Sequence, residues 1–198
     1  MTTYILVGGA MRTSSPEIQA KLATAIQKSA SMPFKVANVF FGESREQWQD
    51  KFKSRQDMFR VLFGENAQMR LTTPETFLED AVWADVIYIH GGYATRIAQY
   101  LDKIPNLEKL FAGKVVIGDS AGAVYLAKYA WEAWTDERVA RGRGLVPVAV
   151  IPHFGSKVYD NNETTIDWES AERELAVSTD LPIYAIREGE FEIFEEKS

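Results

Sequence analysis

The stretch Lys114-Val115-Val116-Ile117-Gly118-Asp119-Ser120-Ala121-Gly122-Ala123 constrains this chain more than any other. A β-branched run enters Gly-x-Ser-x-Gly, and small residues suited to a helix start follow. That order predicts a buried parallel strand, a sharp turn carrying Ser120, and a helix beginning at Ala121. Gly118 and Gly122 would remove Cβ atoms where strand and helix pass close together around a strained central residue. The first N–H groups of the helix would face whatever binds beside the Ser120 hydroxyl. Gly-x-Ser-x-Gly alone recurs by chance. The strand before it and the helix after it make Ser120 a candidate nucleophile rather than a structural turn serine.

Composition narrows the chemistry. The 198 residues suffice for one compact domain, read as 1–198, and 46% hydrophobic with 25% charged residues is ordinary for a soluble globular chain. A net charge of −6 gives a nucleic-acid partner no support. The absence of cysteine removes thiol catalysis, disulfides and cysteine-based zinc sites, and histidine chemistry has only His90 and His153 to draw on. The N-terminus lacks a basic region followed by an apolar core, and no stretch reaches the ~18 apolar residues of a membrane span. The expectation is a cytoplasmic protein with no membrane partner.

Strand and helix signals alternate along the chain. Tyr4–Val7 reads as a strand ending in Gly8-Gly9, and Ser15-Pro16-Glu17 as a capped helix start with Ile18, Leu22, Ala25 and Ile26 on one face. Lys35–Phe41 is a second strand. Ser44 to Leu62 follows as a polar helix whose Arg45, Lys51, Lys53, Arg55 and Arg60 read as a solvated face. A weak strand at 68–71 and a helix at 77–83 lead to the strand Asp85–His90, which runs into Gly91-Gly92-Tyr93. That glycine pair would let backbone N–H groups approach a reacting oxygen closely. Residues 131–143 have no clear period and read as a loop. Val146–Ile151 is a strand ending in Pro152-His153, a helix follows at 167–177, and Pro182–Ile186 with Phe191–Phe194 read as a hairpin about Glu188-Gly189. The pattern predicts an α/β domain with a largely parallel sheet, its unusual residues gathered at the carboxyl ends of strands.

In order, Val86–Gly92, Gly118-Asp119-Ser120-Ala121-Gly122-Ala123, Gly144-Leu145-Val146-Pro147, Ile151-Pro152-His153-Phe154 and Arg187-Glu188-Gly189 resemble the motifs of the peptidase E family of serine peptidases. That family includes aspartyl dipeptidase and, more distantly, cyanophycinase. The resemblance implies a three-layer α/β/α sandwich of the class I glutamine amidotransferase-like, flavodoxin-like kind, acting on short peptides as a monomer or homodimer, with no cofactor and no metal. It implies Ser120 as nucleophile, His153 as general base, and an oxyanion hole from N–H groups near Gly92 and Ala121. Gly91, Tyr93 and Thr165 fall where substrate contacts would lie. A serine hydroxyl needs an imidazole to take its proton, and the imidazole needs a carboxylate to fix its tautomer.

Two positions fit the carboxylate. Asp136 is preferred, with Glu137 as its register alternative, and Glu188 is the other. His90 reads as a packing or supporting residue. Where the aspartyl branch carries Gly-Glu-Thr-Arg, this chain has Asn162-Glu163-Thr164-Thr165. Threonine cannot replace a bidentate guanidinium clamp for a carboxylate, so strict preference for Asp-Xaa peptides is not expected. The alternative from another class is a non-catalytic amidotransferase-like binding or regulatory domain that kept the elbow shape.

Overall fold

Alternate residues of strand β1 (Thr2–Val7) enter two different cores: Tyr4 and Leu6 pack on one face, Ile5 and Val7 on the other. A strand buried on both faces lies inside a sheet with helices on each side. A computed structural model, which describes residues 1–135, 137–157 and 165–196, shows this arrangement. The neighbours of β1 in the large sheet are β2 (Phe34–Val39), β3 (Ala67–Thr72), β4 (Val86–Ile89), β5 (Val115–Asp119) and β10 (Phe191–Glu196), in the order β10-β1-β5-β4-β2-β3. All pairings are parallel except that of β10 with β1.

One face of this sheet is covered by α1 (Pro16–Ser29) and α2 (Trp48–Phe63), through Leu22, Ile26, Met58, Phe59 and Phe63. The other is covered by α3 (Phe77–Trp83), α4 (Ala94–Leu101), α5 (Leu107–Phe111) and α6 (Ala121–Leu126), through Phe77, Ile97, Leu101, Phe111 and Val124. The result is the α/β architecture with a largely parallel, helix-flanked sheet that the alternating signals predict. As expected, Ser15 caps α1 by accepting from the Ile18 N–H. No helix among the described residues is long and apolar enough to cross a membrane.

A second sheet was not anticipated. It has the order β7-β6-β8-β9, with β6 Ala127–Trp131, β7 Val139–Arg141, β8 Val146–Pro152 and β9 Ile183–Ile186, and α7 (Trp168–Ser178) packs on it. Two readings are thereby corrected. Residues 131–143 are not wholly a loop, because β6 and β7 pair antiparallel, Tyr129 opposite Arg141 and Trp131 opposite Val139. The guanidinium groups of Arg141 and Arg138 lie over the Tyr129 and Trp131 rings at 5.1 Å each, so cation–π contacts support a pair too short to show a period. Nor do β9 and β10 form a hairpin. β9 runs parallel to β8 in the small sheet, while β10 crosses to the edge of the large one beside β1.

Candidate active site

The elbow forms as the sequence predicts. A Cβ on Gly118 would sit 2.6 Å from the Gly122 carbonyl oxygen, and one on Gly122 would sit 2.2 Å from that of Ile89. Only hydrogen fits at either position, which is how strand and helix close around residue 120. Ser120 itself has φ 54° and ψ −110°, a conformation costly for a residue with a side chain. Its N–H donates to the Val7 carbonyl at 2.9 Å, tying the turn to the end of β1.

His153 comes from the second sheet, at the end of β8, and is also left-handed, with φ 57°. Its N–H donates to the Gly8 carbonyl at 2.7 Å, and Gly9 lies against the imidazole, where a Cβ would be 2.1 Å from Cε1. The Gly8-Gly9 loop is therefore the bed on which the imidazole rests. Ser120 Oγ lies 2.8 Å from His153 Nε2, and His153 Nδ1 lies 2.9 Å from Glu188 Oε1. The Ser156 hydroxyl donates to the same Glu188 oxygen at 2.9 Å. Gly189 N–H donates to the Gly9 carbonyl and Gly8 N–H to that of Glu190, so the turn bearing Glu188 is pinned to the glycine loop from both sides. Trp134 meets the imidazole edge to face, centroids 5.8 Å apart at 81°.

A family model for peptidase family S51 matches residues 8–198. The chain belongs to peptidase family S51. Two solved structures share its fold. A peptidase from an acI-B1 Actinobacterium is 20% identical, covering 99% of this chain and 88% of that one at a TM-score of 0.67. A candidate peptidase E from Listeria monocytogenes EGD-e is 15% identical, covering 100% of both chains at a TM-score of 0.60. No curated protein matches the chain. As an S51 member the protein is a peptidase, a hydrolase of peptide bonds.

The cleft of this S51 chain has a volume of about 800 Å³, and Ser120, His153, Gly91, Gly92, Tyr93 and Trp134 line it. Gly91 faces the elbow: a Cβ there would lie 3.8 Å from Ser120 Oγ. Gly92, at φ 115°, is pressed instead against the Gly42 carbonyl. The Ala121 N–H opens α6 and so has no partner within the helix. Tyr93 stands on the rim, 52% exposed, with Arg96 stacked on its ring. Thr165 is exposed. Asp136 and the segment 158–164 lie outside the described residues. Glu137 is exposed.

Sequence reasoning missed the floor of the cleft. Arg55 is not part of a solvated face. It is 8% exposed, its Nη2 lies 3.5 Å from Asp119 Oδ2, and its guanidinium sits 4.9 Å over the Tyr88 ring. The signal was present, because residues 48, 52, 55 and 59 form one helical stripe and the other three are Trp, Phe and Phe. Asp119 is buried beside Ser120, and the Tyr88 hydroxyl donates to its Oδ2 at 3.3 Å. A bare carboxylate there would oppose negative charge developing on a reacting carbonyl. Burial, the largest influence, pushes its pKa upward, and Arg55 works in the opposite direction. In either protonation state its charge is neutralised or paired.

His90 is sealed between the Phe40 and Tyr88 rings, each centroid 4.0 Å away, and its Nε2 meets Asn38 Oδ1 at 3.1 Å. Burial holds its pKa well below the usual imidazole range, so it stays neutral. That agrees with a supporting residue.

Proposed function

We propose that this peptidase is a serine exopeptidase cleaving short peptides through an acyl-enzyme, with residues 1–198 acting as one unit and Ser120, His153 and Glu188 as its triad. The observation that carries this reading is the unbroken line of contacts from Ser120 Oγ through both imidazole nitrogens to Glu188, at 2.8 and 2.9 Å. Both separations are within proton-transfer reach.

In the first half-reaction His153 Nε2 takes the Ser120 proton as Oγ bonds to the scissile carbonyl carbon. The carbonyl oxygen becomes an oxyanion facing the N–H groups of Ala121 and the Gly91-Gly92 loop, where each donor is worth about 10²–10³ in rate. His153 then gives its proton to the departing amine nitrogen, the C–N bond breaks, and an ester to Ser120 remains. A water, deprotonated by the same nitrogen, attacks that ester and restores the serine. Glu188 accepts from Nδ1–H throughout, holding the tautomer and stabilising the imidazolium without itself being protonated.

Side-chain preference follows from the cations available. Lys51 and Arg55 line the cleft, but they already face Glu43 and Asp119. Arg12, the third cation of the lining, is exposed to solvent, where a charge pair is worth little, and Arg173 is paired with Asp167 and Glu169. A substrate carboxylate lacking a charge-assisted partner forfeits about 2–5 kcal/mol, so Asp-Xaa dipeptides should have no large advantage. The test is a scan of Xaa-Yaa dipeptides alongside labelling by a fluorophosphonate probe. Labelling of Ser120 with dipeptide turnover is expected. An unlabelled serine would overturn the mechanism, and kcat/KM for Asp-Leu more than about 100-fold above Ala-Leu and Leu-Leu would overturn the specificity.

A further inference from the structure

A second pocket, of about 240 Å³, lies between α4, α6 and the β6–β7 pair and shares no lining residue with the cleft. It is much larger than the ~30 Å³ share of one water and below the ~300 Å³ at which drug-sized sites begin. Glu132 lines it and is 4% exposed. Among the described residues its carboxylate accepts no hydrogen bond and meets no cation. Nor is it sealed in, as Asp119 Oδ1 is. Its oxygens therefore open into the pocket. Burial pushes its pKa upward with no neighbouring charge to offset that. Buried carboxylates are ordinarily paired, and one that is not, aimed into a cavity, marks the place of a missing cationic partner.

The other charges of the pocket are arranged differently. Asp102 is already engaged, accepting from the Tyr125 hydroxyl at 3.0 Å and lying 3.7 Å from Arg143. Arg141 is turned away: it stacks on Tyr129, the residue opposite it in the ladder, on the α7 side of the β6–β7 pair, while Ala140 and Glu132 occupy the other face. Arg143, exposed and met by Asp102 only at that longer distance, is the cation left to the pocket. Ala94, Ala98, Val124 and Gly142 supply small, mostly apolar walls. An unpaired anion inside, an arginine held only at 3.7 Å beside it, and room for one small side chain describe the complement of a zwitterion.

We propose that this pocket binds a free α-amino acid, its ammonium group on Glu132 and its carboxylate against Arg143. The inference stands apart from the reading of Ser120. Its walls nevertheless continue into both loops of the cleft, since α4 follows Gly91-Gly92 and α6 follows Ser120.

The experiment is calorimetric titration of L-alanine, ethylamine and propionate into Ser120→Ala protein, which removes turnover. Alanine should bind at least tenfold more tightly than the amine or the acid alone. Glu132→Gln, which keeps the shape and removes the charge, should weaken alanine binding tenfold or more, and Ala98→Leu should abolish it by filling the cavity. Arg143→Ala changes an exposed residue and so tests the carboxylate half without threatening the fold; a weakening of about tenfold is expected, and Arg141→Ala, on the opposite face, should leave binding unchanged. Equal binding of ethylamine and alanine, no saturable heat up to about 50 mM alanine, or loss of binding in Lys51→Ala rather than Glu132→Gln would each overturn the proposal. The last result would put the amino acid in the cleft.

Discussion

Ser120 and His153 both hold left-handed backbone conformations, at φ 54° and 57°, and their side chains meet at 2.8 Å. They come from different sheets, one at the end of β5 and one at the end of β8. Strain of this kind costs on the order of 1–3 kcal/mol per residue and persists only where surrounding contacts over-determine it. Here those contacts are backbone hydrogen bonds to Val7 and Gly8, which lie next to each other in the chain.

That strain gives a first prediction. Ser120→Ala should fold and lose both hydrolysis and fluorophosphonate labelling. Ser120→Gly should be equally inactive but more stable than Ser120→Ala by about 1 kcal/mol, because glycine adopts positive φ freely. Thermal unfolding of the two variants measures the difference. Equal midpoints would mean that the elbow is not strained.

The two histidines should separate kinetics from stability. His153→Ala should lower kcat by several orders of magnitude, as loss of a triad base does, with little change in melting temperature. His90→Ala removes a ring stacked between two others and should cost about 2–4 kcal/mol of stability with a milder loss of turnover. Denaturation and steady-state kinetics on both variants decide it, and a reversed pattern would exchange their roles.

Glu188 and Asp136 make opposed forecasts. With Glu188 orienting His153, Glu188→Gln should cut kcat by up to ~10⁴-fold, since an amide can hold the wrong tautomer, while Asp136→Asn should change it little. Ser156→Ala should give an intermediate loss, because its hydroxyl donates to the Glu188 oxygen that faces the imidazole. Heavy loss in Asp136→Asn alone would transfer the role to that residue.

Glu132 sets a pH dependence of the unliganded fold. Its pKa is raised on folding, so above the ordinary carboxylate range the folded state binds more protons than the unfolded one. Stability therefore falls as pH rises through the window between the unfolded and folded values. Glu132→Gln removes that penalty. The variant should melt above the parent at pH 8, and the gap should close as pH approaches ~4, where the carboxyl is protonated in both states. Melting curves across that range give the sign. A variant less stable at pH 8 would show that the carboxylate is stabilised by something in the fold.

The elbow was legible because it is local. A β-branched run, two glycines and a serine specify their own geometry within ten residues, and the close approach of Gly118 to the Gly122 carbonyl follows from that order, while the contact of Gly122 with Ile89 is made by the neighbouring strand β4. The partner of His153 Nδ1 was not legible. Glu188 reaches it because the chain leaves β9 in one sheet and enters β10 in another, and alternation in residues 182–194 looks the same whether the strands pair with each other or with distant partners. Arg55 was misread although its place on the stripe with Trp48, Phe52 and Phe59 was visible. A charge on an apolar stripe reads as solvated until its buried counter-ion, 64 residues away, is known. Gly9 carried a visible signal as half of a glycine pair after a strand, but its task of cushioning an imidazole depends on the second sheet.

The crossing from β9 to β10 also bears on when the protein becomes dangerous to its neighbours. A ribosome delivers Ser120 and His153 before Glu188, and the turn bearing Glu188 is fixed only when Gly189 and Glu190 bond to the glycine loop and residues 191–196 zip onto β1. Until then, on the proposed mechanism, the imidazole has nothing to hold its tautomer. Destruction of peptides is thus deferred until the edge strand has closed the sheet, and any lesion that frays that edge should silence the enzyme before it unfolds it.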